Sequence, residues 1–316
     1  MSDHSCPVVR VQKRPHPNAD SLSLVDVLGF TVAVRTADWR DGDLGAYIPP
    51  DSVVDSSRPE FAFLAGHERI KVKKLRGVYS QGLLMPAPEG LGIGADAAET
   101  LGIIHYEPKI HAFSTGGEAK PAPPGAGPTY DVENYRRNKN LFVWSEQVII
   151  TEKIHGANAR YLFADDQMHV GSRTEWKKNG SNIWTRALAA TPGIAAWCEA
   201  HPGATLYGEV YGQVQDLKYG RTDVAFAAFD AIQFGIWMAW QNLVASCYDH
   251  NVPLVPVLYA GPFPDGVEEY AEGKSTIPGA NHVREGCCIR PLRERVTYRG
   301  ERVHLKIVGN GYMEKA

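Results

Sequence analysis

The stretch from Ser114 to Pro128, dense in glycine and proline, constrains this chain more than any other. Proline removes a backbone donor and glycine adds backbone freedom, so such a run extends neither a helix nor a central strand. It reads as a linker or a long surface loop, semi-extended by its prolines. It divides 316 residues into two parts, each long enough to bury a core of its own. The expected layout is a first domain over 1–118, a linker over 119–129 and a second domain over 130–316.

Before that boundary, Val8–Val11, Leu22–Leu28, Phe30–Arg35 and Ala46–Ile48 are short strand candidates separated by Gly, Asp, Asn and Pro. Strands this short, with turns this frequent, favour a barrel. In Arg69-Ile70-Lys71-Val72-Lys73 the period is two, which puts three cations on one face and two aliphatics on the other. After the boundary, strand-like segments alternate with few helices. One helix is expected over Gly180–Glu199, capped by Ser181 or Asn182 and interrupted or ended near Pro192, and a second over Phe234–His250. That order gives an α+β chain in which the second domain is built of antiparallel sheets with flanking helices.

No apolar run reaches the roughly 18 residues that a membrane helix needs. The start, Met1-Ser2-Asp3-His4-Ser5-Cys6, lacks the basic and apolar regions of a secretory signal. Five cysteines, an odd count without any Cys-x-x-Cys, fit reduced thiols in a cytoplasmic protein and argue against zinc. A net charge of −3 does not advertise nucleic-acid binding, but local distribution counts for more than the sum. Arg69, Lys71, Lys73, Lys74 and Arg76 crowd together, and further arginines recur between Arg290 and Arg302.

Val148-Ile149-Ile150 leads into Glu152-Lys153-Ile154-His155-Gly156-Ala157-Asn158, and Tyr161-Leu162-Phe163 leads out. The pattern is two strands joined by a short polar turn, with one lysine where the first strand ends. Lysine becomes a nucleophile only on losing its proton, which takes burial, a cationic neighbour or a metal. Downstream come Ser172-Arg173, Tyr207-Gly208-Glu209, Phe226-Ala227-Ala228-Phe229-Asp230, Glu285-Gly286-Cys287-Cys288-Ile289 and His304-Leu305-Lys306.

In this order the segments resemble the motifs of the covalent nucleotidyltransferases, and Glu-Lys-Ile-His-Gly-x-Asn resembles those of the nick-sealing phage-type RNA ligases. The resemblance spans residues 130–312. The stretches His16–Leu22 and Gly42–Pro49 are similar to OB-type modules, as in the ligase branch with an N-terminal OB domain. The resemblance implies an OB-like barrel followed by an adenylyltransferase domain. It implies that Lys153 attacks the α-phosphate of ATP and carries AMP. It implies catalytic roles for His155, Glu209, Glu285 and Lys306, nucleotide contacts from Glu152, Asn158, Arg173 and Lys306, and Phe226 stacked on adenine with Phe229 in the core. Glu209 and Glu285 would hold Mg²⁺ or Mn²⁺, and Arg69, Lys71 and Lys73 would contact nucleic acid. A metal beside Lys153 would disfavour its ammonium form. His304 stands where such ligases often carry a lysine, so a phosphate contact there would depend on pH.

The activity implied is ATP-dependent joining of a 3′-hydroxyl to a 5′-phosphate on nicked or bridged RNA, including an RNA/DNA hybrid, by a monomer. Two other readings stay open. One is another covalent nucleotidyltransferase, a DNA ligase or a capping guanylyltransferase; the other is a non-catalytic tRNA- or single-strand-binding protein.

Overall fold

The computed structural model describes residues 4–106, 118–298 and 300–315. They form two compact units, one from the residues up to Pro108 together with those from Asn310 on, the other from the residues between. The expected division thus shifts at both ends of the second domain.

The first unit is a set of small antiparallel sheets. Strands β1 (Val8–Arg10) and β5 (Leu44–Ile48) pair, and β9 (Leu83–Pro86) adds to β5. Strands β2 (Lys13–His16), β3 (Ala19–Val27) and β4 (Phe30–Arg35) form a meander. Pairs β6 (Ser52–Val53) with β10 (Ile104–His105) and β7 (Val72–Leu75) with β8 (Val78–Gln81) complete it. Where β4 and β8 meet, side chains replace ladder bonds: Thr31 N donates to Gln81 Oε1 at 3.1 Å and Ala33 N to Ser80 Oγ at 3.0 Å. This satisfies amides that a sheet edge would otherwise leave unpaired. Alternation holds at the basic stretch, where Ile70 and Val72 are buried, Arg69 and Lys71 half-buried and Lys73 exposed.

In the second unit a seven-stranded sheet has the order β11 (Ala119–Lys120), β16 (Trp176–Lys177), β15 (Gln167–Gly171), β14 (Ala157–Ala164), β17 (Ala204–Gly212), β18 (Val224–Gln233), β19 (Ile236–Trp237). A five-stranded sheet has the order β12 (Glu133–Asn134), β22 (Leu305–Val308), β21 (Gly286–Pro291), β13 (Gln147–Lys153), β20 (Val257–Pro262). Only β12 with β22 is parallel among these ladders. Helices Ile183–Ala190, Gly193–Ala200 and Trp240–Asp249 cover one face of the larger sheet, where Trp184, Trp197 and Leu243 join Tyr161, Val210 and Phe226 in the main core.

The first two helices are separated at Thr191-Pro192, and Asn182 closes a capping box with Thr185. The third helix starts six residues later than expected. Phe234, with φ +50°, and Gly235 make the turn of the β18–β19 hairpin, whose pairing claims residues that also satisfy helical spacing. The expected linker 119–129 is likewise not free. Ala119–Lys120 pairs with Lys177 and Trp176, Gly127 N donates to Thr205 Oγ1 at 2.8 Å, and the Tyr207 hydroxyl donates to Pro128 O at 2.8 Å. A proline-rich run has no donors to lose on a sheet edge, and its carbonyls still accept. The beginning of the Gly/Pro stretch, 114–117, lies outside the described residues.

Candidate active site

Lys153 is the last residue of β13, and Gly286 of β21 stands opposite it. Its Nζ lies 2.5 Å from Glu285 Oε1. The nucleophile candidate and one metal-ligand candidate are thus brought together by strand register, across 132 residues of sequence. The turn 154–156 then crosses into the other sheet, where Asn158 pairs with Glu209. Gly156 passes so close to β17 that a Cβ would sit 2.2 Å from the Val210 carbonyl oxygen. Glycine is therefore required by a backbone crossing. The crossing brings Lys153, Glu209 and Glu285 together in one small space.

The two sheets enclose a pocket there. From the smaller sheet and the segment leading into it come Thr151, Glu152, Lys153, Cys288, His304 and Lys306; from the larger come Asn158, Glu209 and Phe229; Tyr130, Val255 and Arg173 close it. Eight residues expected at the site therefore gather around one cavity, counting His155, whose Nδ1 is 3.6 Å from Glu285 Oε2, with Lys153, Glu152, Asn158, Arg173, Glu209, Glu285 and Lys306. Arg173 is exposed at its rim.

The electrostatics differ from the expectation for a primed nucleophile. Burial works against the Lys153 ammonium, but Glu285 and then Glu209 outweigh it and hold the amine above the usual lysine range. Glu209 is pushed up to about 8, first by burial and further by Glu285, although Lys153 pulls the other way. Glu285 is held down to about 2, because Lys153 and His155 overcome its own desolvation. Lys306 is lowered by burial and by the like charge of Lys153. Of the two acids that share this close cation, Glu285 is ionised and Glu209 keeps its proton up to about pH 8. Lys153 is thus an ion-paired ammonium in this state.

Several expected roles change. Phe226 does not reach the pocket. Its ring is buried against Tyr161, edge to face at 5.2 Å, and it lies over Gly208, where a Cβ would meet its Cε2 at 2.1 Å. Phe229 lines the pocket instead. Three apart on one strand, the two rings face opposite sides of the sheet, and Phe226 is on the side that the helices cover; a register shift between Tyr207 and Gly208, which pair with Asp230 and Ala228, also leaves Phe229 without a partner between them. Glu152 sits in the wall, but its carboxylate is already engaged by Ser275 Oγ at 2.5 Å, Thr276 N at 2.7 Å and Thr276 Oγ1 at 2.6 Å. Any nucleotide contact at Glu152 therefore falls to its backbone.

His304 is not a substitute cation. Burial lowers it to about 4, and it is hydrogen-bonded at 2.8 Å to the Tyr130 hydroxyl, which donates to Asp230 Oδ2 at 2.6 Å. Neutral near pH 7, it lends no charge to a phosphate.

Behind the pocket wall sequence reasoning missed a buried ion cluster. Asp230 meets Arg302 at 2.5 Å and Arg290 at 3.1 Å, and Glu294 meets Arg302 at 2.8 Å. Arg302 stacks on Trp237 and Arg290 on Trp240. The signal was an aspartate inside the apolar run Val224–Ile232, since a buried charge needs partners.

In the first unit the nucleic-acid candidates are not equivalent. Arg69 is tied to Asp51 at 2.7 Å and lies 3.8 Å over the Tyr106 ring, so its charge is already matched. Lys71 is half-buried, and Lys73 is exposed on β7.

Comparison with known proteins adds three findings. A family model described as RNA ligase matches residues 146–308, and a model of an OB-fold domain matches residues 7–87. Among solved structures, the chain is similar to Naegleria gruberi RNA ligase with PPi, at 22% identity and a TM-score of 0.80, covering 99% of this chain and 98% of that one. Mutants of that ligase with AMP and Mn and with ATP and Mn are similar to the same degree, each at 21% identity and TM-score 0.80, covering 99% and 98% of either chain respectively. No curated protein matches.

Proposed function

Because this chain belongs to the RNA ligase family, we propose that it seals RNA by joining a 3′-hydroxyl to a 5′-phosphate through AMP carried on Lys153. One observation carries the reading: Lys153, Glu209, Glu285, Lys306, Asn158 and Arg173, from separate segments, converge on one pocket, with Lys153 ion-paired to Glu285 at its floor.

In the first step Lys153 Nζ bonds to the α-phosphorus of ATP, and the bond to the bridging oxygen breaks to release pyrophosphate. AMP then passes to the RNA 5′-phosphate, and the 3′-hydroxyl displaces it to close the phosphodiester. Lys306 and Arg173 stand where cations can meet the charge that gathers on phosphate oxygens. Phe229 offers a ring on the pocket wall for the base, and Asn158 Oδ1, buried without a hydrogen-bond partner, offers an acceptor to a hydroxyl. Lys153 must first shed the proton that Glu285 and Glu209 keep on it.

The donor set fits a divalent cation. Glu285 Oε2 is buried with no hydrogen-bond partner, and Glu209 is raised first by its burial and further by Glu285, an effect that a bound cation would offset. Among the described residues no three His, Cys, Asp or Glu side chains are set to hold one ion together, so Glu209 and Glu285 would be the protein's share, as Mg²⁺ or Mn²⁺ with retained waters accepts. When bound, such an ion supplies positive charge that cancels the field holding the Lys153 proton and neutralises the phosphates.

The test is incubation with α-labelled ATP and Mg²⁺ or Mn²⁺, a denaturing gel, and peptide mapping. The expected result is an acid-labile AMP adduct on Lys153, formed with ATP in preference to GTP, and sealing of a nicked RNA duplex. No adduct, or an adduct elsewhere, overturns the reading.

A further inference from the structure

Strands β17 and β18 are antiparallel neighbours, which a two-residue turn can join. Here the connection runs from Gln213 to Asp223. Its surplus length folds back against the turn that follows Lys153. That turn, 154–156, lies between the ladders of β13 and β14, so its backbone groups need partners from elsewhere.

The connection provides two of them. The Tyr219 hydroxyl accepts from His155 N at 2.7 Å, and Gln215 Nε2 donates to Gly156 O at 2.5 Å. Tyr219 is itself held in a conformation that a bulky residue seldom adopts, with φ +54°. Its ring is buried, 1% exposed, and packs edge to face on Tyr211 at 5.2 Å and on His282 at 4.5 Å. Burial raises its hydroxyl well above the tyrosine range, so it stays a neutral acceptor at any working pH.

We propose that Tyr219 is a positioning residue for the adenylyl-transfer site, acting through the His155 amide to hold the 154–156 turn and so aim Lys153 and His155 at the reacting phosphate. The inference rests on the ligase reading above. Tyr219 touches neither nucleotide nor metal ligand in this scheme. What it controls is how tightly the backbone between Lys153 and Asn158 is held, and small misplacements of a nucleophile are costly in rate.

The test is Tyr219→Phe in the full-length protein, which keeps the ring packing and removes one acceptor. Three quantities are read: thermal unfolding, hydrogen–deuterium exchange of the peptide containing His155, and the single-turnover rate of AMP-adduct formation over a range of ATP concentrations. The midpoint is expected to stay within about 2 °C, since a single hydrogen bond contributes little net stability. Exchange at His155 is expected to speed up about tenfold or more, and the maximal adduct rate to fall about tenfold with ATP half-saturation changed less than twofold. Tyr219→Leu, which loses the ring as well, should unfold earlier; a rate no lower than that of Tyr219→Phe would be expected only if the hydroxyl carries the effect. Unchanged exchange at His155 in Tyr219→Phe overturns the clamp even if the protein proves not to adenylylate. Faster exchange with an unchanged adduct rate overturns the positioning role and leaves the ligase reading intact.

Discussion

Two groups of charged side chains lie within the second unit, and they are placed differently. Behind the pocket wall, Asp230 and Glu294 face Arg290 and Arg302, two charges of each sign in mutual contact. At the pocket floor, Glu209 and Glu285 share Lys153, while Lys306 repels it. The first group is neutral within itself, and both guanidinium groups hold Asp230, which fastens the β18 strand to the β21–β22 hairpin, although Arg290 Nη1 and Nη2 are buried without hydrogen bonds. In the second, Glu285 Oε2 is buried with no hydrogen bond and burial raises Glu209 to about 8. What separates the two is access: one group is closed behind the wall, and the other lines a cavity that a ligand can enter.

The comparison can be broken first at its structural end. Asp230→Ala leaves two buried guanidinium groups without their shared acceptor and is expected to cost about 3–5 kcal/mol. Denaturant unfolding checks this, and a loss under 1 kcal/mol would mean the cluster is not what joins the sheets. Next, the two phenylalanines of β18 should separate cleanly. Phe226→Ala should lower stability by about 3–5 kcal/mol, with ATP half-saturation nearly unchanged. Phe229→Ala should raise ATP half-saturation about tenfold or more, as loss of a stacking ring does, with a smaller stability cost. The reverse pattern would restore Phe226 as the base-stacking ring.

A pH series comes third. His304 binds its proton with a pKa of about 4 when folded, against 6.5 when free, so the unfolded chain takes up the proton first as pH falls. Its contribution is fully present above pH 6.5 and drains away down to about pH 4, by up to about 3 kcal/mol in all. Stability measured against pH in His304→Gln should lack that share of the slope. The smallest effect has the opposite sign. Glu209→Gln removes a carboxylate that its burial penalises and should stabilise the ligand-free protein at pH 8 by about 1–2 kcal/mol while abolishing sealing. If it destabilises instead, the ionised Glu209 carboxylate is held well in the folded pocket and is not a cost to it.

Much of the site was legible before any coordinate. Lys153, Glu209, Glu285 and Lys306 are marked in the sequence by the order of motifs that resemble those of the nucleotidyltransferases, each weak alone, and the fold brings them to one place. Asn182 as a cap and the helix break at Pro192 were local signals and equally readable. The barrel's buried Ile70 and Val72 followed from period two. Other features depended on partners far along the chain. The 119–129 run has the composition of a linker, yet its carbonyls and amides found Thr205 and Tyr207. The spacing over Phe234–Ala239 suits a helix, yet pairing of Ile236 and Trp237 with β18 won.

Sequence alone determined the order of the candidate residues and, through strand alternation and turn residues, much of the local structure around them, because those signals act over a few positions. Tertiary structure alone decided which phenylalanine faces the pocket, since alternation puts the two on opposite faces but only the packed helices decide which face is core. It also decided that His304 is neutral and Lys153 charged, because the free energy of a proton depends on burial and on charges that meet only after folding.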